Sequence, residues 1–267
     1  MIRLIFSDMD GTLLDDRGHL PAELGQMYAR LRARGILFAP ASGRQYASLV
    51  ETFAPWQDEM IFLAENGTLV MEGGRELFAA PVDPALGLRV MQTGEALTGV
   101  YSVYCGKKQG YIHRADDVPA FRAELEKYVS KSMVTEDFAA VDDVPIKMAF
   151  FDPSGHADTT ILPVMEQYAD RMQVTLSSAL WVDVYAQGVS KGVAAARVQE
   201  HLGLTPDECA AFGDYGNDLE LMDAVTYSFA MANAIPAVQE RARYRAPSNG
   251  EHGVMAVCER ILAGEFD

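Results

Sequence analysis

Apolar and polar positions fall into two rhythms along this chain, and the first is strand followed by helix. Ile2-Arg3-Leu4-Ile5-Phe6 reads as a buried strand. Pro21 to Arg34 follows as a helix, with Pro early, Leu24, Met27, Tyr28 and Leu31 as an apolar stripe, and Gly35 as a stop. Ile36 to Ala41 is the next strand, ending at Ser42-Gly43; a helix from about Gln45 to Phe53 leads to a third strand, Ile61-Phe62-Leu63-Ala64. This alternation predicts a parallel, doubly wound sheet. Thr68 to Met71 and Glu76 to Ala79 flank Gly73-Gly74, a two-glycine hairpin signal.

The rhythm changes after Pro81-Val82-Asp83-Pro84. Helices are expected near 86–97, 118–130 and 158–171, and strands near 100–105, 110–114, 146–151, 172–177 and 180–185. Several of these strands follow one another with no helix between, a spacing that favours antiparallel pairing. From Gly188 the first rhythm returns: a helix from Lys191 to His201 closed by Gly203, a helix start at the capping box Thr205-Pro206-Asp207-Glu208, and a strand from Cys209 to Phe212. A helix near 217–224, a strand from Tyr227 to Ala230 and two more helices complete it. The expected architecture is α/β: a doubly wound, mostly parallel Rossmann-like core from residues 1–83 and 186–267, interrupted by an α+β insert at 84–185.

Composition narrows the classes. With 49% apolar residues in 267, the chain can bury a core without staples. Cys105, Cys209 and Cys258 are far apart and odd in number, which predicts buried reduced thiols rather than a disulfide framework or a metal site. His113 and His252 lack ligand spacing. The first residues lack the features of a signal peptide and no long apolar run is present, so a soluble cytoplasmic protein is expected. A net charge of −16 repels nucleic acid and anionic membranes, so any phosphate must be handled at one local site.

Candidate chemistry begins with Asp8 and Asp10 in Asp8-Met9-Asp10-Gly11-Thr12, directly after the first strand. Two carboxylates this close repel unless a cation neutralises them, and oxygen donors without His or Cys favour Mg²⁺. Asp and Gly also cluster in ordinary turns, so the pair alone leaves loop and site equally open. Three further segments end strands or begin helices: Ala41-Ser42-Gly43-Arg44, Ser190-Lys191-Gly192, and Gly213-Asp214-Tyr215-Gly216-Asn217-Asp218. In an open α/β sheet, ligands bind beyond the carboxyl ends of the strands, where such segments converge. Ser42 suits either a helix N-cap or a phosphoryl-oxygen ligand. Lys191 opposes the macrodipole in the first turn of its helix, and a bound phosphate would account for it.

Together and in this order, the four segments resemble the four motifs of the haloacid dehalogenase superfamily of phosphatases, and the insert resembles the large α/β cap of its Cof-type members. Ala64-Glu65-Asn66-Gly67-Thr68, Ala230-Met231-Ala232-Asn233-Ala234 and Glu251-His252-Gly253-Val254 extend the resemblance over nearly the whole chain. Ala41 to Tyr46 and Tyr227 to Met231 look most like the sugar-phosphatase branch, although Arg44 stands where that branch commonly has Asn. The resemblance implies Asp8 as nucleophile, Asp10 as acid and base, and Mg²⁺ held by Asp8, the Asp10 carbonyl and Asp214, with Asp218 ligating through water or steadying Lys191. It further implies Ser42, Gly43, Lys191 and Asn217 around the phosphoryl oxygens; Arg44, Asn66 and Asn249 are candidates to face the substrate, with an ordinary loop role equally open for each. The expected substrate is a small phosphorylated metabolite, foremost a hexose or pentose phosphate. Flavin mononucleotide, pyridoxal phosphate, phosphomutase chemistry and non-catalytic phospho-sugar binding are the alternatives, in a monomer or small homo-oligomer.

Overall fold

The computed structural model describes residues 1–266. Its centre is a five-stranded, wholly parallel sheet in the order Tyr244–Ala246, Tyr227–Met231, Cys209–Gly213, Leu4–Ser7, Leu37–Pro40. The first strand and Cys209–Gly213 are buried along their whole length, as continuous apolar runs between two helical layers should be. Helices Leu24–Ala33 and Gly253–Leu262 pack together, and Lys191–Leu202 packs against Leu219–Asp223. Register sets Ser7 opposite both Phe212 and Pro40, so the ends of the three neighbouring strands are level.

The insert supplies a second sheet of six strands, ordered Met172–Leu176, Trp181–Ala186, Pro145–Phe151, Tyr101–Gly106, Gly110–His113, Ser132–Thr135. Pairing is antiparallel except for the last pair, which is parallel because the helix Pro119–Leu125 provides the crossover. Strand alternation then sorts the side chains. Met148, Phe150, Val182 and Val184 go to one face, packed with Val90 and Met91 of the helix Pro84–Glu95. Lys147, Ala149, Trp181 and Asp183 go to the other, which turns toward the ends of the parallel strands.

Several expected elements are corrected. Ile61–Ala64 is not a regular member of the parallel sheet: it starts a three-stranded antiparallel sheet with Leu69–Glu72 and Arg75–Ala79, joined to the core by one parallel bridge between Ala41 and Leu63. The hairpin at Gly73-Gly74 captures its pairing. The expected helix at 158–171 breaks into Ala157–Thr160, Leu162–Met165 and a 3₁₀ turn, since Pro163 has no N–H to continue the ladder. The capping box at Thr205 forms, but it opens only a 3₁₀ turn, Pro206–Glu208, before the strand at Cys209 begins. The helix expected at 118–130 stops at Leu125, and strands Ser132–Thr135 and Tyr244–Ala246 are additions. All three cysteines are buried and unpaired. Among the described residues no helix is long and apolar enough to cross a membrane.

Candidate active site

The level strand ends carry Asp214, Asp8 and Ser42 side by side. The Asp8 N–H donates to the Phe212 carbonyl at 3.0 Å, and the Ala41 N–H donates to the Ser7 carbonyl at 2.8 Å, so each residue leaves its strand still tied to its neighbour. The chain then folds tightly through Met9–Leu13, with Gly11 at φ 78°. Glycine is required there twice over: the conformation is left-handed, and a Cβ would lie 2.4 Å from Asp214 Oδ2. Thr12 Oγ1 donates to Asp214 Oδ1 at 2.8 Å, locking this turn to the neighbouring strand end.

Lys191 answers the sequence puzzle of a cation at a helix N-terminus. It is wholly buried, and its Nζ donates to Asp8 Oδ1 at 2.5 Å and to Asp218 Oδ1 at 2.7 Å. Asp218 Oδ2 accepts the backbone N–H groups of Asp214 and Tyr215 at 3.0 and 3.2 Å. With both its oxygens engaged, Asp218 is placed to hold Lys191 and the loop. Asp8, Asp214 and Asp218 each bring one carboxylate oxygen within 4.8 Å of the others.

Three buried carboxylates thus face one ammonium. Burial opposes the charge of Lys191, yet Asp218 and Asp8 outweigh it and raise its pKa. Burial pushes Asp8 well above the usual carboxylate range against the pull of Lys191, and burial with repulsion from Asp218 pushes Asp214 up to about 7. A divalent cation would close the deficit of two charges. The donors are all hard oxygens, which suits Mg²⁺.

Asp10 and Arg44 form a fork: Arg44 Nε and Nη2 donate to the two Asp10 oxygens at 2.8 and 2.6 Å. The guanidinium also lies over the Tyr128 ring, 5.4 Å from its centroid. Arg44 therefore lines the cavity while its charge is directed to Asp10. Ser42 is buried, and its Oγ accepts the Arg44 N–H at 3.1 Å. Asn217 Nδ2 donates to Asn66 Oδ1 at 3.0 Å, and Asn66 Nδ2 donates to Asp183 Oδ2 at 2.7 Å, a chain of amides that runs from the core to the cap. Asn249 lies away from the cavity and donates to the Leu14 carbonyl and to Asp16.

A cavity of about 90 Å³ separates these groups from the cap face. The core side contributes Asp8, Asp10, Ser42, Gly43, Arg44 and Asn217; Val103, Ala149, Trp181 and Lys147 stand opposite. The indole N–H of Trp181 is buried without a partner among the described residues. Lys147 is buried like the core lysine, paired with Glu65 Oε2 at 2.6 Å and Asp183 Oδ1 at 3.7 Å. Burial opposes its charge, but Asp183 and Glu65 prevail and raise its pKa. Glu65 and Asn66 reach these partners from left-handed backbone, φ 52° and 58°, which costs on the order of 1–2 kcal/mol per non-glycine residue. Lys147, Asp183 and Trp181 escaped the sequence reading. The available signal was a lone cation inside the apolar run Pro145–Phe151 and a lone acid inside Trp181–Ala186.

A parallel-sheet edge that concentrates carboxylates around a buried lysine, beneath a separate cap, defines a class: α/β hydrolases that act on phosphate. Residues 5–257 match the haloacid dehalogenase-like hydrolases, and the chain belongs to that family. It is a phosphoric monoester hydrolase. The chain is 31% identical to the 5-amino-6-(5-phospho-D-ribitylamino)uracil phosphatase YbjI of Escherichia coli K12, over 99% of this chain and 97% of that one. The structure of SMU.1108c from Streptococcus mutans UA159 is similar with a TM-score of 0.90 and 26% identity, covering 98% of this chain and all of that one. A subclass IIB sugar phosphatase of the same superfamily shares the fold, with a TM-score of 0.82 at 18% identity over 97% of this chain and 98% of that one.

Proposed function

We propose that this protein is a Mg²⁺-dependent phosphatase of small phosphorylated sugars and sugar alcohols, working through a phosphorylated Asp8. Residues 1–83 and 186–267 form the catalytic core and 84–185 the cap that selects the leaving group. The observation that carries this reading is the arrangement of Asp8, Asp214 and Asp218 around Lys191 at level strand ends.

Asp8 and Asp214 would hold the cation through carboxylate oxygens, with the Asp10 carbonyl beside them. Mg²⁺ supplies the positive charge that lets an anionic carboxylate approach an anionic phosphate. The Asp8 carboxylate attacks phosphorus as the bond to the alkoxide breaks. Asp10, with one oxygen kept by Arg44 and the other released from the fork to carry a proton, delivers that proton to the alkoxide and later removes one from the water that hydrolyses the acyl phosphate. Ser42, the backbone at Gly43 and Arg44, Asn217 and Lys191 hold the phosphoryl oxygens, where preorganised donors contribute most to catalysis. The phosphorylated ribityl chain in the relative's name supports a polyol leaving group, and the Trp181 and Tyr128 rings lining the cavity favour one that bears a flat ring.

The test is phosphate release from a panel of hexose and pentose phosphates, ribityl-bearing phosphates including flavin mononucleotide, and pyridoxal phosphate, with Mg²⁺ and with chelator. Release should require Mg²⁺ and be greatest for the polyol esters. Undiminished release in chelator contradicts the metal assignment, and isomer formation without free phosphate identifies a mutase.

A further inference from the structure

The cap touches the segment Ser42–Ser48 directly, at two places. Lys147, inside the cap strand Pro145–Phe151, donates from Nζ to the Gly43 carbonyl at 2.7 Å. Farther along, the cap turn at 128–131 grips the start of the following helix. The Gln45 N–H donates to the Tyr128 carbonyl at 2.9 Å, the Lys131 N–H to Gln45 Oε1 at 2.9 Å, and the Ser130 N–H to Ser48 Oγ at 2.9 Å.

The first contact has a consequence for phosphate. A trans peptide points its C=O and the following N–H in opposite directions. With the Gly43 carbonyl held by Lys147, the Arg44 N–H is turned the other way, where it meets Ser42 Oγ at 3.1 Å on the side of the strand ends. Lys147 is itself held by Glu65 and Asp183, one from the core and one from the cap, so its position depends on the two parts being closed together.

We propose that Lys147 is a positioning residue: by fixing the Gly43–Arg44 peptide from the cap, it completes the cradle for the phosphoryl oxygens only when the cap is closed. This rests on the phosphatase reading above and adds to it that the cap builds part of the phosphate site, besides selecting the leaving group. By reciprocity, phosphate bound in the cradle favours the closed cap.

The experiment uses the full chain in Mg²⁺ with three readouts. Lys147→Met should lower kcat/KM by roughly 10–100-fold, the scale expected when one preorganised oxyanion donor is misplaced. The loss should be equal for acetyl phosphate and for a sugar phosphate, and the inhibition constant of inorganic phosphate should rise in parallel. A loss confined to the larger substrate would make Lys147 a leaving-group contact, and unchanged phosphate inhibition would make it a structural residue; either overturns the proposal. Because Lys147→Met leaves Glu65 buried without its cation, Lys147→Met with Glu65→Gln restores the local charge balance and should show the same uniform loss. In the unaltered protein, saturating inorganic phosphate should slow hydrogen exchange at the Ser130 and Lys131 amides, which are bonded across the interface; exchange unaffected by phosphate also overturns it. Wild-type enzyme inert toward the whole substrate panel would instead defeat the phosphatase reading, and the exchange result would still report on the coupling.

Discussion

Two buried lysines stand on opposite sides of one cavity, and their surroundings differ in charge balance. Lys191, on the core side, faces Asp8 and Asp218 directly with Asp214 beside them, three carboxylates to one ammonium. Lys147, on the cap side, faces Glu65 and Asp183, and Asp183 Oδ2 is further satisfied by Asn66 at 2.7 Å and by Ser177 Oγ at 2.6 Å. The first cluster is left strongly negative, a state that only a cation or protons can relieve. The second carries a single net negative charge, and its ammonium, shared by Glu65 of the core and Asp183 of the cap, joins two parts of the molecule. The more negative cluster is the one that calls for a cation, and the less negative one fastens the parts that surround it.

The largest effect is expected at Asp8, beside Lys191. Asp8→Asn keeps the shape and removes the carboxylate proposed as nucleophile, so turnover should fall by about 10⁵-fold or more on every substrate, on the scale seen when a nucleophile is deleted. Steady-state phosphate release and the thermal midpoint should be read together: activity gone with folding intact is expected, and appreciable turnover refutes the role. Asp10→Asn should cost less, about 10²–10⁴-fold, as for loss of a general acid. That loss should shrink for acetyl phosphate, whose leaving group needs little protonation; an equal loss on acetyl phosphate and on a sugar phosphate would remove Asp10 from the acid role.

These two positions were legible in the sequence because strand-end chemistry is local. A carboxylate that ends a buried strand next to a glycine turn is written in consecutive residues, and the sheet brings such segments together by topology alone. Asp8 and Asp214 are read in this way, Ser42 from its strand end and Lys191 from its place in the first turn of a helix, and the fold brings the four together at one end of the parallel sheet. The cap side was opaque because its groups sit in mid-strand, where function depends on register and on which face meets the core. Lys147 lies opposite Tyr185 and Cys105 through pairings that no sequence periodicity specifies. The third strand was misassigned for a similar reason: Ile61–Ala64 has the apolar run of a parallel strand, but the hairpin beside it captured its hydrogen bonds.

The charge deficit around Lys191 makes a prediction about pH. The pKa of Asp214 is raised to about 7 in the folded, metal-free protein and is ordinary in the unfolded chain. Between these values the folded state holds the extra proton, so this group's contribution to stability is full at acid pH and is lost as pH rises through about 7. Mg²⁺ competes with that proton and relieves the same repulsion. The thermal midpoint gained on adding Mg²⁺ should therefore be small near pH 5.5 and grow through about pH 7.5, as differential scanning fluorimetry with and without chelator can show. A gain that is largest at acid pH would place the cation elsewhere. Around Lys147 no comparable response to Mg²⁺ is expected.

The smallest effect belongs to Trp181, which, unlike Lys147 on the same cap wall, should govern selectivity rather than chemistry. Trp181 packs against Phe151 and Tyr128, with ring centroids 5.0 and 5.7 Å apart, and keeps a buried N–H that no group of the described residues accepts. A leaving group with a ring carbonyl near that donor would satisfy it. Trp181→Phe retains an aromatic ring and removes the donor, so kcat/KM should drop about fivefold, roughly 1 kcal/mol, for ring-bearing esters that accept the bond. Acetyl phosphate, too small to reach the cap wall, should be hydrolysed unchanged. The opposite pattern, a loss on acetyl phosphate as large as on the ring-bearing ester, would mean that Trp181 acts on the core cradle, and the division of labour between the two sides of the cavity would fail at that residue.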